Sequence, residues 1–205
     1  MSNKKEKDDL KLYRFLRPAV VGLFKLLYRP IVVGKENIPE NGRAVLAGNH
    51  KGLTDCFMLA ISTKRCVHFL AKAELFKGKF LNAYFRGLGA IPVHRKTKDH
   101  NALVSALDVL REDKLIGIFP EATLNRGEGI ILPFKIGAVK MASDTHSPIV
   151  PFIISGEYKL FKKSVKIEFL PPYYIEDSDL KNENEKLMKI VSDGIVKANA
   201  ERECD

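Results

Sequence analysis

Short apolar runs alternate along this chain with segments whose apolar residues recur every three or four positions, the signatures of buried strands and amphipathic helices. Runs at 31–34, 44–48, 67–71, 90–93, 115–119, 149–154 and 165–170 read as strands, several of them flanked by Gly or Pro. The run Ala44-Val45-Leu46-Ala47-Gly48 carries no polar side chain, as a strand covered on both faces requires. Helical spacing is expected over 54–62, over 101–111 with Leu103, Leu107 and Leu110 on one side, and over 136–142. Leu187, Ile190, Val191 and Ile195 mark a closing helix. Residues 76–86 form a helical or irregular apolar stretch, and 36–42 a connecting turn. Pro148 and Pro151 are expected to bound the start of a strand and to have an architectural role. This alternation predicts an α/β fold, a single domain with a central, largely parallel sheet flanked by helices.

The first thirty residues have a different character. They hold eight basic side chains (Lys4, Lys5, Lys7, Lys11, Arg14, Arg17, Lys25, Arg29) against three acidic ones (Glu6, Asp8, Asp9), more than half of the whole basic excess. From 10 to 28 the pattern is helical, and Pro18 is expected to kink the helix or split it into a pair. At about 100° per residue, Lys11, Arg14, Lys25 and Arg29 share one narrow stripe with Pro18 and Gly22. Around it lie Tyr13, Leu16, Val20, Val21, Leu23, Phe24 and Leu27. A wide oily face with a basic edge suits a helix lying in an anionic membrane surface. The boundaries expected are therefore 1–30 for a basic amphipathic membrane-interface segment and 31–205 for the main domain.

Composition narrows the classes. A chain of 205 residues, 45% hydrophobic and 29% charged, is long enough to bury one core. It has no internal repeat, no convincing signal peptide, and no run of about 18 apolar residues to span a bilayer. Cys56, Cys66 and Cys204 show no C-x-x-C and no even pairing, which suits free thiols in a reducing compartment. Cys56 stands beside Asp55 and could serve as a nucleophile, but a small buried thiol is the stronger expectation. The net charge of +9 favours anionic partners. Because the excess is concentrated beside an apolar helix rather than spread among stacking aromatics, lipid is favoured over nucleic acid.

The candidate chemistry begins at His50 and Asp55, five positions apart, where the 44–48 strand gives way to a helix. Strand ends are where open α/β sheets build their sites. A carboxylate reaching back to one imidazole nitrogen fixes the tautomer and leaves the other nitrogen as a general base for a hydroxyl. Downstream follow Gly89-Ala90-Ile91-Pro92-Val93-His94-Arg95, then Phe119-Pro120-Glu121-Ala122-Thr123-Leu124-Asn125-Arg126, then Phe134-Lys135-Ile136-Gly137-Ala138 and Pro148-Ile149-Val150-Pro151.

Blocks in this order after an H-x4-D resemble the glycerolipid acyltransferase family typified by 1-acyl-sn-glycerol-3-phosphate acyltransferase, over roughly residues 30 to 155. The resemblance implies a glycerol-3-phosphate acyltransferase-like fold at the cytoplasmic face of the cell membrane, peripheral or monotopic. It implies a lysophosphatidate hydroxyl attacking an acyl thioester on acyl carrier protein or coenzyme A, with no cofactor, no metal and no covalent acyl-enzyme. His50 would be the base and Asp55 its orienting partner. Arg95, Glu121, Thr123, Arg126 and Lys135 would bind the acceptor and its phosphate. The family's Phe-Pro-Glu-Gly-Thr-Arg-Ser reads here with Ala122 for Gly, Leu124 for Arg and Asn125 for Ser. Ala122 implies a backbone that is not left-handed. Leu124 removes a cation that Arg126 or Lys135 would replace, and leaves glycerol-3-phosphate or another lysolipid as an alternative acceptor.

Other enzyme classes lack their marks. G-x-S-x-G is absent, and Ser155-Gly156 lacks the rest of it. Gly87-Leu88-Gly89 lacks the third glycine of a dinucleotide loop. His68, His94, His100 and His146 are scattered, so no metal site is expected. A non-enzymatic membrane- or nucleic-acid-binding module is the remaining alternative.

Overall fold

A computed structural model describes residues 3–94, 100–125 and 129–203, with side chains from Lys11 to Arg202. Its elements in chain order are α1 (Asn3–Tyr28), β1 (Ile31–Val33), β2 (Ala44–Gly48), α2 (Asp55–Ser62), β3 (Val67–Lys72), α3 (Lys79–Gly87), β4 (Ala90–Val93), α4 (His100–Arg111), β5 (Leu115–Ile118), α5 (Gly137–Thr145), β6 (Ile149–Gly156), β7 (Val165–Phe169) and α6 (Leu180–Glu203). Each apolar run expected to be a strand is one, and the ambiguous 76–86 stretch resolves into a 3-10 turn (Ala73–Phe76) followed by α3.

The seven strands form one sheet in the order β1-β7-β6-β2-β5-β3-β4. Its pairs are parallel except β6 with β7. From β2 the chain leaves through α2 to β3, beyond β5, whereas from β5 it leaves through α5 to β6, on the far side of β2. Neighbouring strands whose connections depart in opposite directions open a crevice at their carboxyl ends. His50 follows β2 and Glu121 follows β5, so the topology delivers both to that crevice.

The two faces of the sheet bury separate clusters. Val45, Ala47, Ile116, Ile149 and Ile153 point toward α4, α5 and α6, whereas Leu46, Leu115, Phe152 and Ile154 meet Phe24 of α1 and Met58 and Leu59 of α2. Full burial of side chains such as Leu46 and Phe152 stabilises by about 1.5–3 kcal/mol each.

One expectation about proline is corrected and another narrowed. Pro151 does not bound β6 but lies inside it, opposite Ala47 of β2. It is tolerated because its carbonyl takes the Leu170 N–H (2.8 Å) just past the end of β7, so its missing donor faces the point where the ladder stops. Pro18 does not split the N-terminal helix, which is unbroken from Asn3 to Tyr28. Tertiary contact overrides the local penalty there. Tyr13 and Phe24 are buried, and Arg17 donates to the carbonyls of Ala60 (3.2 Å) and Thr63 (2.6 Å) at the C-terminal end of α2. A guanidinium there satisfies orphan carbonyls and complements the helix dipole. The opposite flank of α1 stays open, with Phe15, Leu23 and Leu26 exposed.

Candidate active site

At the mouth of the crevice the His50 imidazole meets Asp55 across 2.8 Å, Nδ1 to Oδ2. Asp55 is fully buried and opens α2, where the helix N-terminus favours negative charge. Its Oδ2 also accepts the main-chain N–H groups of Lys51 (2.6 Å) and Gly52 (2.9 Å), and its Oδ1 accepts the Tyr158 hydroxyl (2.6 Å). Four donors offset the cost of burying the carboxylate. An ionised carboxylate only accepts, so Nδ1 of His50 carries the proton and Nε2 holds the lone pair. The His50 side chain is 15% exposed, enough to meet a substrate and little enough to limit water.

Three further contacts hold His50 in place. Gly48 brings β2 so near β6 that a Cβ there would lie 2.1 Å from the Phe152 carbonyl oxygen. Asn49 then imitates a strand residue with its side chain, donating to the Ile154 carbonyl (2.9 Å) and accepting the Ile154 N–H (2.7 Å). The His50 ring stacks on Phe119, centroids 4.2 Å apart and planes at 17°. The His50 N–H donates to Oε1 of Glu121 (2.8 Å), while Oε2 of Glu121 accepts the Leu132 N–H (2.9 Å). Glu121, which the sequence reading assigns to the acceptor site, turns both oxygens to main-chain donors from a buried position. A carboxylate beside a phosphate would repel it, whereas two backbone N–H groups satisfy it.

Ala122 is a correction. Its φ of 57° places it in the left-handed region, a backbone that a glycine would adopt without cost. The N–H of Ala122 closes a turn onto the Phe119 carbonyl (2.9 Å), and this turn swings Glu121 back toward His50. The bend is set by those bonds, and alanine, the smallest residue with a Cβ, tolerates it.

The other expected residues divide. Thr123 is exposed and makes no hydrogen bond among the described residues. Lys135 is tied through its N–H to the Pro120 carbonyl (2.9 Å), which sets its main chain beside the Glu121 turn, two residues before α5, and its side chain is exposed. Arg95 and Arg126 lie outside the described residues. One nearby cation has no counterpart in the sequence reading: Lys51 donates through Nζ to the Gly156 carbonyl (2.8 Å), and burial holds its ammonium below the ordinary lysine range, with repulsion from Arg202 adding to the effect. The Cys56 thiol is pushed up to about 11, chiefly by burial and then by the Asp55 charge, so it is not an activated nucleophile. His68 binds the Leu115 carbonyl (3.2 Å) and burial lowers its pKa, leaving a neutral structural imidazole.

Sequence reasoning missed Asn49, the stacking of Phe119 and the Tyr158 hydroxyl. Asn49 directly precedes His50 and offers both a donor and an acceptor at a strand end, a signal open to reading. Tyr158 lies 103 residues from Asp55, and no local pattern marks it.

Comparison with known proteins agrees with this arrangement. Residues 29–155 match the sequence model of the acyltransferase family. The chain is 30% identical over 156 residues to the 1-acyl-sn-glycerol-3-phosphate acyltransferase of Bacillus subtilis, covering 74% of this chain and 77% of that protein. It is 36% identical over 177 residues to the enzyme of the same name from Borreliella burgdorferi, covering 82% and 70%. Its fold superimposes on the crystal structure of the 1-acyl-sn-glycerophosphate acyltransferase PlsC of Thermotoga maritima with a TM-score of 0.74, at 23% identity, over 98% of this chain and 83% of that one. With a basic imidazole braced at the switch point of a largely parallel sheet and a family match that spans most of the molecule, the chain belongs to the acyltransferase family.

Proposed function

We propose that the protein transfers an acyl group from an acyl thioester, on acyl carrier protein or coenzyme A, to the free hydroxyl of 1-acyl-sn-glycerol-3-phosphate, giving phosphatidate for phospholipid synthesis. The observation that carries this reading is the bond between His50 Nδ1 and Asp55 Oδ2, which leaves Nε2 a base in a crevice. Nε2 takes the hydroxyl proton as the acceptor oxygen attacks the thioester carbonyl. The tetrahedral intermediate collapses by breaking the carbon–sulfur bond, and the departing thiolate takes the proton back from the imidazolium. No bond to the enzyme forms, in keeping with the protonated Cys56 thiol. The positioned base contributes roughly 10²–10⁴-fold, and the remainder comes from holding two amphiphiles in register.

The acceptor's phosphate is met by Lys135, whose main chain is bonded to Pro120 beside the Glu121 turn, and by Arg95 and Arg126, which lie outside the described residues. Lysophosphatidate is delivered in a membrane, and the open flank of α1 with Phe15, Leu23 and Leu26 beside a basic stripe fits the cytoplasmic face of an anionic bilayer. Among the described residues no helix is long and apolar enough to cross one.

The test is thiol release from acyl-carrier-protein and coenzyme A thioesters with a panel of lysolipids and glycerol-3-phosphate, run beside His50→Ala. Activity with lysophosphatidate and a loss of about 10²-fold or more in the variant are expected. A preference for glycerol-3-phosphate would replace the acceptor named here, and an active His50→Ala would end the mechanism.

A further inference from the structure

The proposed chemistry uses one oxygen of Asp55, the one that faces the imidazole. The other, Oδ1, is held by the Tyr158 hydroxyl at 2.6 Å. Tyr158 stands on the loop between β6 and β7, far in sequence from both members of the dyad. Its ring sits edge-on to Tyr28 (5.6 Å, 85°) and Phe24 (6.4 Å, 69°), both on α1. Phe24 in turn packs on Phe57 of α2, 5.8 Å between centroids. The same loop is fastened to α1 by the Phe161 N–H, which donates to the Leu27 carbonyl (2.5 Å). To make that bond Phe161 adopts a left-handed φ of 59°, a strained setting for a bulky residue. At the other end of α2, Arg17 of α1 grips the carbonyls of Ala60 and Thr63. The helix that carries Asp55 is thus held by α1 at its C-terminal end, along its side and, through Tyr158, at its first residue. Burial, reinforced by the Asp55 charge, raises the phenol far above its ordinary range, so the donor stays protonated at any working pH.

We propose that Tyr158 is a positioning residue for the dyad, its hydroxyl fixing the Asp55 carboxylate and its ring making that fixation depend on the seating of α1. The proposal rests on the acyl-transfer reading above for its activity readouts, and has one readout that does not. Without the hydroxyl, Oδ1 would lose its only hydrogen bond among the described residues, and the carboxylate could rotate away from the plane of the imidazole. The proton on Nδ1 would then be less firmly placed and Nε2 less well aimed.

The test is Tyr158→Phe, which keeps the ring and its packing and removes one oxygen. A hydrogen bond to a charged group predicts a fall in kcat on the order of tenfold. KM for donor and acceptor should stay within about twofold, since the hydroxyl is engaged by the buried Asp55 carboxylate. In an Asp55→Asn background the same substitution should change kcat by less than about twofold, because the two groups act as one unit. Phe24→Leu, which thins the support of the Tyr158 ring, should lower kcat in the parent protein and leave the Tyr158→Phe protein unchanged. Independently of turnover, the His50 Nδ1 proton bonded to Asp55 should give a low-field NMR resonance that moves in Tyr158→Phe and not in Tyr174→Phe, a control on an exposed tyrosine. A parent-like kcat with an unmoved resonance overturns the proposal, as does a loss of equal size in the Asp55→Asn background. An inactive parent whose resonance still moves would retain the tether and end the acyl-transfer reading instead.

Discussion

Replacing Glu121 by Gln separates two tasks that the residue could perform. In the structure each carboxylate oxygen accepts one main-chain N–H, from His50 at 2.8 Å and from Leu132 at 2.9 Å, and the residue is only 4% exposed. The amide of Gln has the same shape but a single acceptor, so its NH2 group must face one of those two N–H donors. One buried donor then goes unpaired, at a cost of about 1–3 kcal/mol. For a chain of this size that corresponds to a melting temperature lower by roughly 2–4 °C per kcal/mol. If the His50 N–H is the one released, the imidazole loses part of its support, and displacement of a catalytic group by about an ångström costs on the order of 10²-fold in rate. Thermal unfolding followed by circular dichroism, paired with thiol-release kinetics, reads both effects. The clamp predicts reduced stability and reduced kcat with an acceptor KM near that of the parent. A variant with parent-like stability and kcat but a strongly raised acceptor KM would show that Glu121 meets substrate, and would refute the clamp.

Ala122→Gly should stabilise the protein. The left-handed backbone costs an L-residue about 1–2 kcal/mol, glycine's added freedom in the unfolded chain costs about 0.5–1 kcal/mol, and the difference should raise the melting temperature by a few degrees; a fall would show that the Ala122 methyl makes contacts worth more than the strain. Cys56→Ala should retain acyl transfer, and alkylation of the Cys56 thiol should keep accelerating with pH up to about 11, because a raised pKa lowers the thiolate fraction at every lower pH. A rate that levels off near neutrality would contradict the half-buried, unactivated thiol. Leu23→Ser with Leu26→Ser should leave stability within about 0.5 kcal/mol, both residues being exposed, yet weaken sedimentation with anionic vesicles by at least about tenfold. Undiminished vesicle binding would remove α1 from the membrane contact.

Much of the architecture was readable because a largely parallel sheet buried on both faces writes its strands as uninterrupted apolar runs, as at 44–48 and 149–154. The dyad was readable for a related reason: His50 and Asp55 are neighbours in sequence, and a strand end announces a site. What stayed hidden depends on partners far along the chain. Ala122 bends because its turn must return Glu121 to His50, 71 residues earlier. Pro151 fits a central strand only because β7 ends beside it, which no local pattern records. Pro18 continues a helix because Arg17 and Phe24 are anchored on α2, a stabilisation absent from helix propensity. The partners of Glu121 and Tyr158 are main-chain N–H groups and a carboxylate, and a list of residue types cannot choose between a phosphate and a backbone amide as the partner of an acid.

The way the dyad is locked has a consequence for when it becomes competent. His50 and Asp55 come into reach as soon as a single strand–loop–helix forms, but Asn49 waits for Ile154, the carboxylate waits for Tyr158, and the imidazole's main chain waits for Glu121. Contacts of such sequence separation form late, after the loops between them have closed. A nascent or half-assembled chain therefore holds the His50–Asp55 pair without the contacts that aim it, and gains them only once the last strands have docked.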